Sequence, residues 1–196
     1  MARPNRQLER KQALIAAAQT AVVDRGLVQL SLTDVAKEAG LTRGAILYYF
    51  DDLDDLLVET HRAGIQRFCD DREQLLQRTS VSPGEQLAIA IDTGLPSGPD
   101  DALLRLLYEF DVLAGHSALH DELVQRMYVR QLAIYRGVLA GTFAPAIDAD
   151  DLAMTLVALE DAYGLHIVAG NSHIDVATAR RAMRAVASGL GCPSAD

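Results

Sequence analysis

The chain has 196 residues, 49% of them hydrophobic, and a formal net charge of −9. That length supports a sizeable core. The absence of an apolar run near 18 residues argues against a membrane-spanning helix, and the polar, basic opening residues argue against a signal peptide. Two cysteines, Cys69 and Cys192, make no disulfide framework and point to a reducing cytoplasm.

The charge is unevenly distributed. Residues 1–50 hold seven Lys or Arg against four Asp or Glu, a balance of +3, and the remainder stands at −12. A basic head on an acidic body is what orientation on a nucleic acid requires. Arg3 and Arg6 read as a flexible arm available for backbone or minor-groove contact. The first helix is expected from about Gln7 to Arg25, with Leu14, Ile15, Ala18, Val22 and Val23 inward and Gly26 as its stop.

Leu32 to Phe50, LTDVAKEAGLTRGAILYYF, asks for a particular geometry. Ser31 with Asp34 three positions on is a helix cap with an acidic N3, and Val35, Ala36 and Ala39 give the short helix an apolar face. Gly40 breaks it, and Ile46 anchors a second helix, roughly Arg43 to Phe50, capped by Thr42. This is helix-turn-helix spacing. The outer side of the second helix offers Arg43, Gly44, Ala45, Tyr48 and Tyr49, residues that fit a major groove without steric conflict.

GLTRGAILYYF, followed by LDDLL, resembles the recognition segment of the tetracycline-repressor (TetR-like) transcriptional regulators over about Leu14 to Leu57. The resemblance implies an all-α chain with a three-helix DNA-binding head on a larger α-helical ligand-binding and dimerisation body. The expected division is residues 1–50 and 51–196. Arg43 and Tyr48 are the candidates for base or backbone contact, and Thr33, Thr42 and Tyr49 for phosphates. Leu47 departs from a common tyrosine, and Leu53 from a common phosphate-contacting lysine. Asp51, Asp52, Asp54 and Asp55 set four carboxylates beside the DNA face, where they repel phosphates unless they serve to cap the next helix.

Strand signals are missing, and 3.6-residue apolar periodicity recurs to the end of the chain. A long helix, about Asp54 to Arg78, turns Leu57, His61, Ile65, Phe68, Leu75 and Leu76 to one face. Ser82, Pro83 and Gly84 start a helix through Ile91, and glycines and prolines from Gly94 to Pro99 form a loop. Asp100 to Ala114 follows, striped by Leu103, Leu107, Phe110 and Ala114, with Asp111 on the stripe and Arg105 and Glu109 outward. Ala118 to Thr142 has a wide apolar arc interrupted by His120 and Gln131, and ends before Pro145. Asp148 opens a helix to about Gly170 that is apolar on both sides. Asp175 caps the last helix, before Gly191 and Pro193 release a disordered tail.

A helix apolar on both sides must be covered on both sides, so a homodimer is expected. Its interface is assigned to Leu156, Glu160, Tyr163, Ile167, Val176, Ala179, Met183, Val186 and Leu190. Two half-sites would then read a palindromic operator in double-stranded DNA. Polar groups on apolar arcs mark a small-molecule cavity, which the resemblance also implies: Phe68, Tyr108, Asp111, Tyr128, Gln131, Tyr135, Asp161 and His166. Its acidic lining favours a cationic or hydroxylated effector over a fatty acid.

No G-x-S-x-G, C-x-x-C, H-E-x-x-H or phosphate-cradling loop occurs, so no catalytic residue and no cofactor are expected. His116 and His120 have the spacing of a helical metal pair, yet read as polar residues on a first turn, and no metal is expected. The function expected is a ligand-responsive DNA-binding repressor. The alternative is an all-helical interaction protein whose DNA binding is weak or lost.

Overall fold

A computed structural model describes residues 3–111, 113, 115–140 and 146–192, with side chains from Arg6 onward. The all-α expectation holds: among these residues there is no strand. The helices are α1 (Arg3–Arg25), α2 (Leu32–Glu38), α3 (Arg43–Ile46), α4 (Leu53–Arg78), α5 (Pro83–Gly94), α6 (Ala102–Asp111), α7 (Ala118–Leu139), α8 (Ala149–Val168) and α9 (Val176–Gly189). A 3₁₀ turn, Leu27–Gln29, joins α1 to α2. The chain forms two compact units, residues 1–67 with 105–124 and residues 68–104 with 125–196.

In the first unit, α1 buries Leu14, Ala18, Ala21 and Val22, α2 buries Leu32, Val35 and Ala36, and α3 buries Ile46. Two positions depart from the expected inner face of α1: Ile15 and Val23 are half-buried, and Ala21 takes a full place in the core. Gly26 and Gly40 adopt φ of 74° and 64°, which end α1 and α2 without the steric cost that a Cβ would bring. α1 begins at Arg3, so Arg6 lies in its early turns and not in an arm; the side chain of Arg3 is outside the described residues. α3 stops at Ile46 instead of Phe50, because the Tyr49 N–H turns back three residues to the Ile46 carbonyl at 2.8 Å and tightens the chain.

The acids at the start of α4 serve that helix. Asp52 accepts from the Asp55 N–H at 2.8 Å and Asp55 accepts from the Asp51 N–H at 3.2 Å, satisfying donors that α4 cannot reach internally. In the same unit Glu109 of α6 is not turned outward as expected. It accepts from the Leu27 N–H at 3.1 Å.

The second unit holds the larger core, in which Ile91 of α5, Tyr135 and Leu139 of α7, Leu152, Leu156 and Ile167 of α8, and Ala179 and Met183 of α9 are buried together. Ser82 caps α5 in a reciprocal box with Glu85, with Pro83 in the first turn. α6 starts at Ala102 and not at Asp100, because Asp101 accepts from the N–H groups of Leu103 and Leu104. Asp148 and Asp175 cap α8 and α9 as their positions predicted. Ala114, Thr142, Pro145 and Pro193, which figured in the sequence reading, lie outside the described residues.

Candidate functional site

The helix-turn-helix is built from its caps inward. Ser31 Oγ accepts from the Asp34 N–H at 3.3 Å, and Asp34 returns the bond to the Ser31 N–H at 3.1 Å. The Asp34 carboxyl sits below its ordinary value, chiefly because Ser31 bonds to its charged form, with Arg25 at 3.4 Å adding attraction. Thr42 Oγ1 accepts from the Ala45 N–H at 3.3 Å and sets the start of α3. Ile46 and Phe50 are sunk in the core, which leaves Thr33, Thr42, Arg43, Gly44 and Tyr48 exposed on the outer side, with Ala45 and Tyr49 half-buried. Tyr48 is 74% exposed and meets the Tyr49 ring edge to face at 5.0 Å. Arg6 and Arg10 line a depression shared with Ala39 and Leu41 beside the turn. This surface carries cations, hydroxyls and phenols around a small-residue helix start, the groups that contact phosphates and base edges.

A second constellation lies inside the other unit. Arg72 Nη1 and Nη2 donate to Glu160 Oε1 and Oε2 at 2.7 and 2.8 Å, with both side chains buried. The same carboxylate accepts from Gln131 Nε2 at 3.0 Å and Tyr135 Oη at 2.6 Å. Burial lowers the tendency of Arg72 to hold its proton, but the Glu160 carboxylate outweighs it. Burial, with Glu160 beside it, pushes the Tyr135 phenol well above its usual range, so it stays a donor. The Arg72 guanidinium also lies over the rings of Phe68 and Tyr135. Gly94 of α5 has no Cβ because the Glu160 carboxylate occupies that space.

Three of the expected cavity residues, Phe68, Gln131 and Tyr135, therefore come together, and Asp161 joins at the edge by accepting from Gln131 Nε2 at 3.2 Å. Tyr128 packs partly buried against the same core. His166 is exposed near the end of α8, 3.2 Å from Asn171 Nδ2. Tyr108 and Asp111 belong to the first unit, and Asp111 keeps accessible surface while desolvation raises its carboxyl from 3.8 to about 6. A groove of about 300 Å³ lined by Glu73, Leu76, Gln86, Ile134, Gly137 and Val138 contains none of the expected residues.

Five of the nine residues expected at a dimer interface are covered by the chain itself. Leu156, Glu160, Ile167, Ala179 and Met183 are buried within this chain and offer no surface to a second copy, while Tyr163, Val176, Val186 and Leu190 are half-buried. The exposed face of α8 is the opposite one, where Met154 is 40% and Leu165 52% exposed, with Ala158 and Ala162 between them. Both faces are apolar, so periodicity could not say which one the chain covers itself.

Arg72 was not anticipated, although the sequence carried a signal. His61, Ile65, Phe68 and Arg72 follow one another at spacings of four, three and four, which sets Arg72 on the buried stripe. The partner of His120 was missed as well. Its Nδ1 lies 3.0 Å from His61 Nδ1 in a buried stack with Phe110. His61 Nε2 has no partner among the described residues, which favours the tautomer in which His61 donates through Nδ1, since a bare lone pair costs less there than an orphaned N–H.

Comparison with known proteins agrees with this architecture. Residues 14–60 match the bacterial regulatory proteins of the tetR family. The regulator BetI of Yersinia pestis is 35% identical over 85 residues, covering 43% of each chain, and the repressor BepR of Brucella suis is 42% identical over 24% of this chain and 23% of its own. The chain thus spans less than half the length of these curated relatives. A TetR transcription regulator of Haloarcula marismortui shares the fold with a TM-score of 0.83 at 20% identity, over 94% of this chain and 99% of that one. A transcriptional regulator of Saccharomonospora viridis, solved in complex with choline, does so with a TM-score of 0.79 at 22% identity, over 93% and 97%. The helix-turn-helix head thus matches the tetR family of bacterial regulatory proteins over residues 14–60, and the chain as a whole shares its fold with the solved regulators.

Proposed function

We propose that the protein is a ligand-responsive transcriptional regulator that binds a palindromic operator as a homodimer and is released by a small-molecule effector. The observation that carries this reading is the outer side of α3, where Arg43, Gly44 and Tyr48 stand exposed on a helix start positioned by the Thr42 cap. Arg6, Thr33 and Tyr49 would flank it on phosphates. Residues 1–50 act as the DNA-binding domain in this reading, and the helices beyond them receive the effector and the second copy. The protein acts by binding, with no catalytic step.

Two copies would meet through the exposed face of α8, around Met154, Ala158 and Leu165, since this apolar surface has no cover among the described residues. The choline complex of the Saccharomonospora viridis regulator supports the reading that a small molecule binds this fold. α4 carries residues of both units, so a change beside Phe68 would travel along one helix toward Leu57. Ligand and operator then weaken each other reciprocally, because each favours a different shape.

Selection of bound sequences from random DNA with the purified protein tests the reading. A palindromic consensus is expected, with a dimer in sedimentation. Enrichment of no dyad sequence, or a monomer at working concentration, would overturn it.

A further inference from the structure

The surroundings of Arg72 have the composition of a cation receptor, with the cation supplied by the chain itself. The guanidinium carbon stands 4.9 Å from the centre of the Phe68 ring and 5.9 Å from that of Tyr135, and both terminal nitrogens meet the Glu160 carboxylate. Aromatic faces and a carboxylate around one buried positive charge are the groups that hold organic ammonium ions.

The two halves of the pair are not equally fixed. Glu160 also accepts from two donors of α7, Gln131 Nε2 and Tyr135 Oη, and its carboxylate is seated against Gly94 of α5. Beyond Glu160, Arg72 donates from Nη2 to the Ala90 carbonyl at 3.1 Å and lies beside the Tyr135 hydroxyl, while its buried Nε–H has no acceptor among the described residues. The orphaned donor marks arginine as an imperfect occupant. A cation without an N–H at that position leaves nothing unsatisfied. Charge balance points the same way. A cation that takes the place of the guanidinium keeps one positive and one negative charge in the core, whereas an anion that displaced Glu160 would strand its carboxylate there. The long arginine side chain is the part able to leave.

We propose that Phe68, Tyr135 and Glu160 form a receptor for a small organic cation of the methylated or quaternary ammonium class, and that Arg72 fills it in the ligand-free chain. This rests on the reading of the helical body as the effector-binding part and adds the chemical class of the effector and the residue it displaces.

Heat unfolding of the full chain, followed by circular dichroism in tetramethylammonium chloride and in sodium chloride at equal ionic strength, tests it. The wild-type Tm is expected to rise in tetramethylammonium relative to sodium. In Arg72→Ala the internal competitor is gone, and binding of tetramethylammonium should tighten by about tenfold. If Arg72→Ala is unfolded in sodium chloride, refolding in tetramethylammonium is the equivalent expected result. Glu160→Gln should lose the response. An unmoved wild-type Tm, or an equal rise in Glu160→Gln, overturns the receptor. A parallel titration of the operator complex with tetraethylammonium, octanoate and glycerol separates the two ideas. Release by octanoate alone would remove the cation receptor and leave the effector reading standing. Release by tetraethylammonium alone, lost in Glu160→Gln, supports both.

Discussion

Arg72 and Glu160, 88 residues apart in the chain, meet in a two-pronged ion pair with side chains only 2% and 1% exposed. Such a pair gives little net stability over an apolar substitute, yet breaking it leaves a buried charge uncompensated. Glu160→Leu is expected to lower the unfolding free energy by about 3–5 kcal/mol. Adding Arg72→Leu should recover about 2–3 kcal/mol, because the stranded guanidinium is then gone. Urea unfolding of the two single variants and the double variant measures the coupling, and strict additivity would show that the pair is not energetically linked.

Gly94 and Gly137 provide a paired test of packing. Both are helical, but a Cβ at Gly94 would overlap the Glu160 carboxylate and lie 2.8 Å from Arg72 Nη2, while nothing stands within 4 Å of one at Gly137. Gly94→Ala should cost about 1–3 kcal/mol through overpacking. Gly137→Ala should gain about 0.5–1 kcal/mol from helix propensity alone. Thermal midpoints that moved in the same direction would contradict the placement of Glu160 against α5.

The His61–His120 contact predicts an acid limb. Burial pushes the His61 imidazole from 6.5 down to about 3, with His120 and Arg62 adding repulsion. His120 is also lowered by burial, against the attraction of Asp54 and Asp121. Between about 6.5 and 3 the unfolded chain holds the extra His61 proton, so this contribution is complete above that window and is lost as pH falls through it. Asp111 has the opposite sign. Its folded carboxyl titrates near 6 instead of 3.8, so it works against stability, most fully above that range. His61→Asn, whose amide can replace Nδ1 beside His120, should flatten the acid limb by at least ~1.4 kcal/mol, the equivalent of one pKa unit. Asp111→Asn should raise the urea midpoint at pH 8 and raise it far less at pH 4. Midpoints measured across that range check both variants.

Arg43, exposed at the first position of α3, should dominate the DNA surface. Arg43→Ala is expected to cost about 1–3 kcal/mol of operator affinity with relaxed sequence preference if it reads a base edge. A uniform loss with a salt slope smaller by about one would assign it to a phosphate instead. Full retention of affinity in a gel-shift titration would remove Arg43 from the interface.

Local chemistry was legible in the chain. Ser31 with Asp34, Thr42, Asp148 and Asp175 are caps whose partners lie within three residues, so residue type and spacing sufficed to place them. Helical periodicity found the elements, but their ends shifted where a neighbour intervened, as at Tyr49 and Asp101.

Tertiary structure alone decided which side of an element meets which neighbour. α8 is apolar on two opposite faces, and only packing against α5 and α9 turned Leu156 and Ile167 inward and left Met154 and Leu165 outside. Likewise the residues around Glu160 come from α4, α5, α7 and α8, and no spacing along one chain encodes a meeting between four helices. Caps and stripes are short-range and could be read from sequence by itself. The pairing of Arg72 with Glu160 and of His61 with His120 depends on side chains brought together by the burial of apolar surface elsewhere, a collective effect that no local pattern carries.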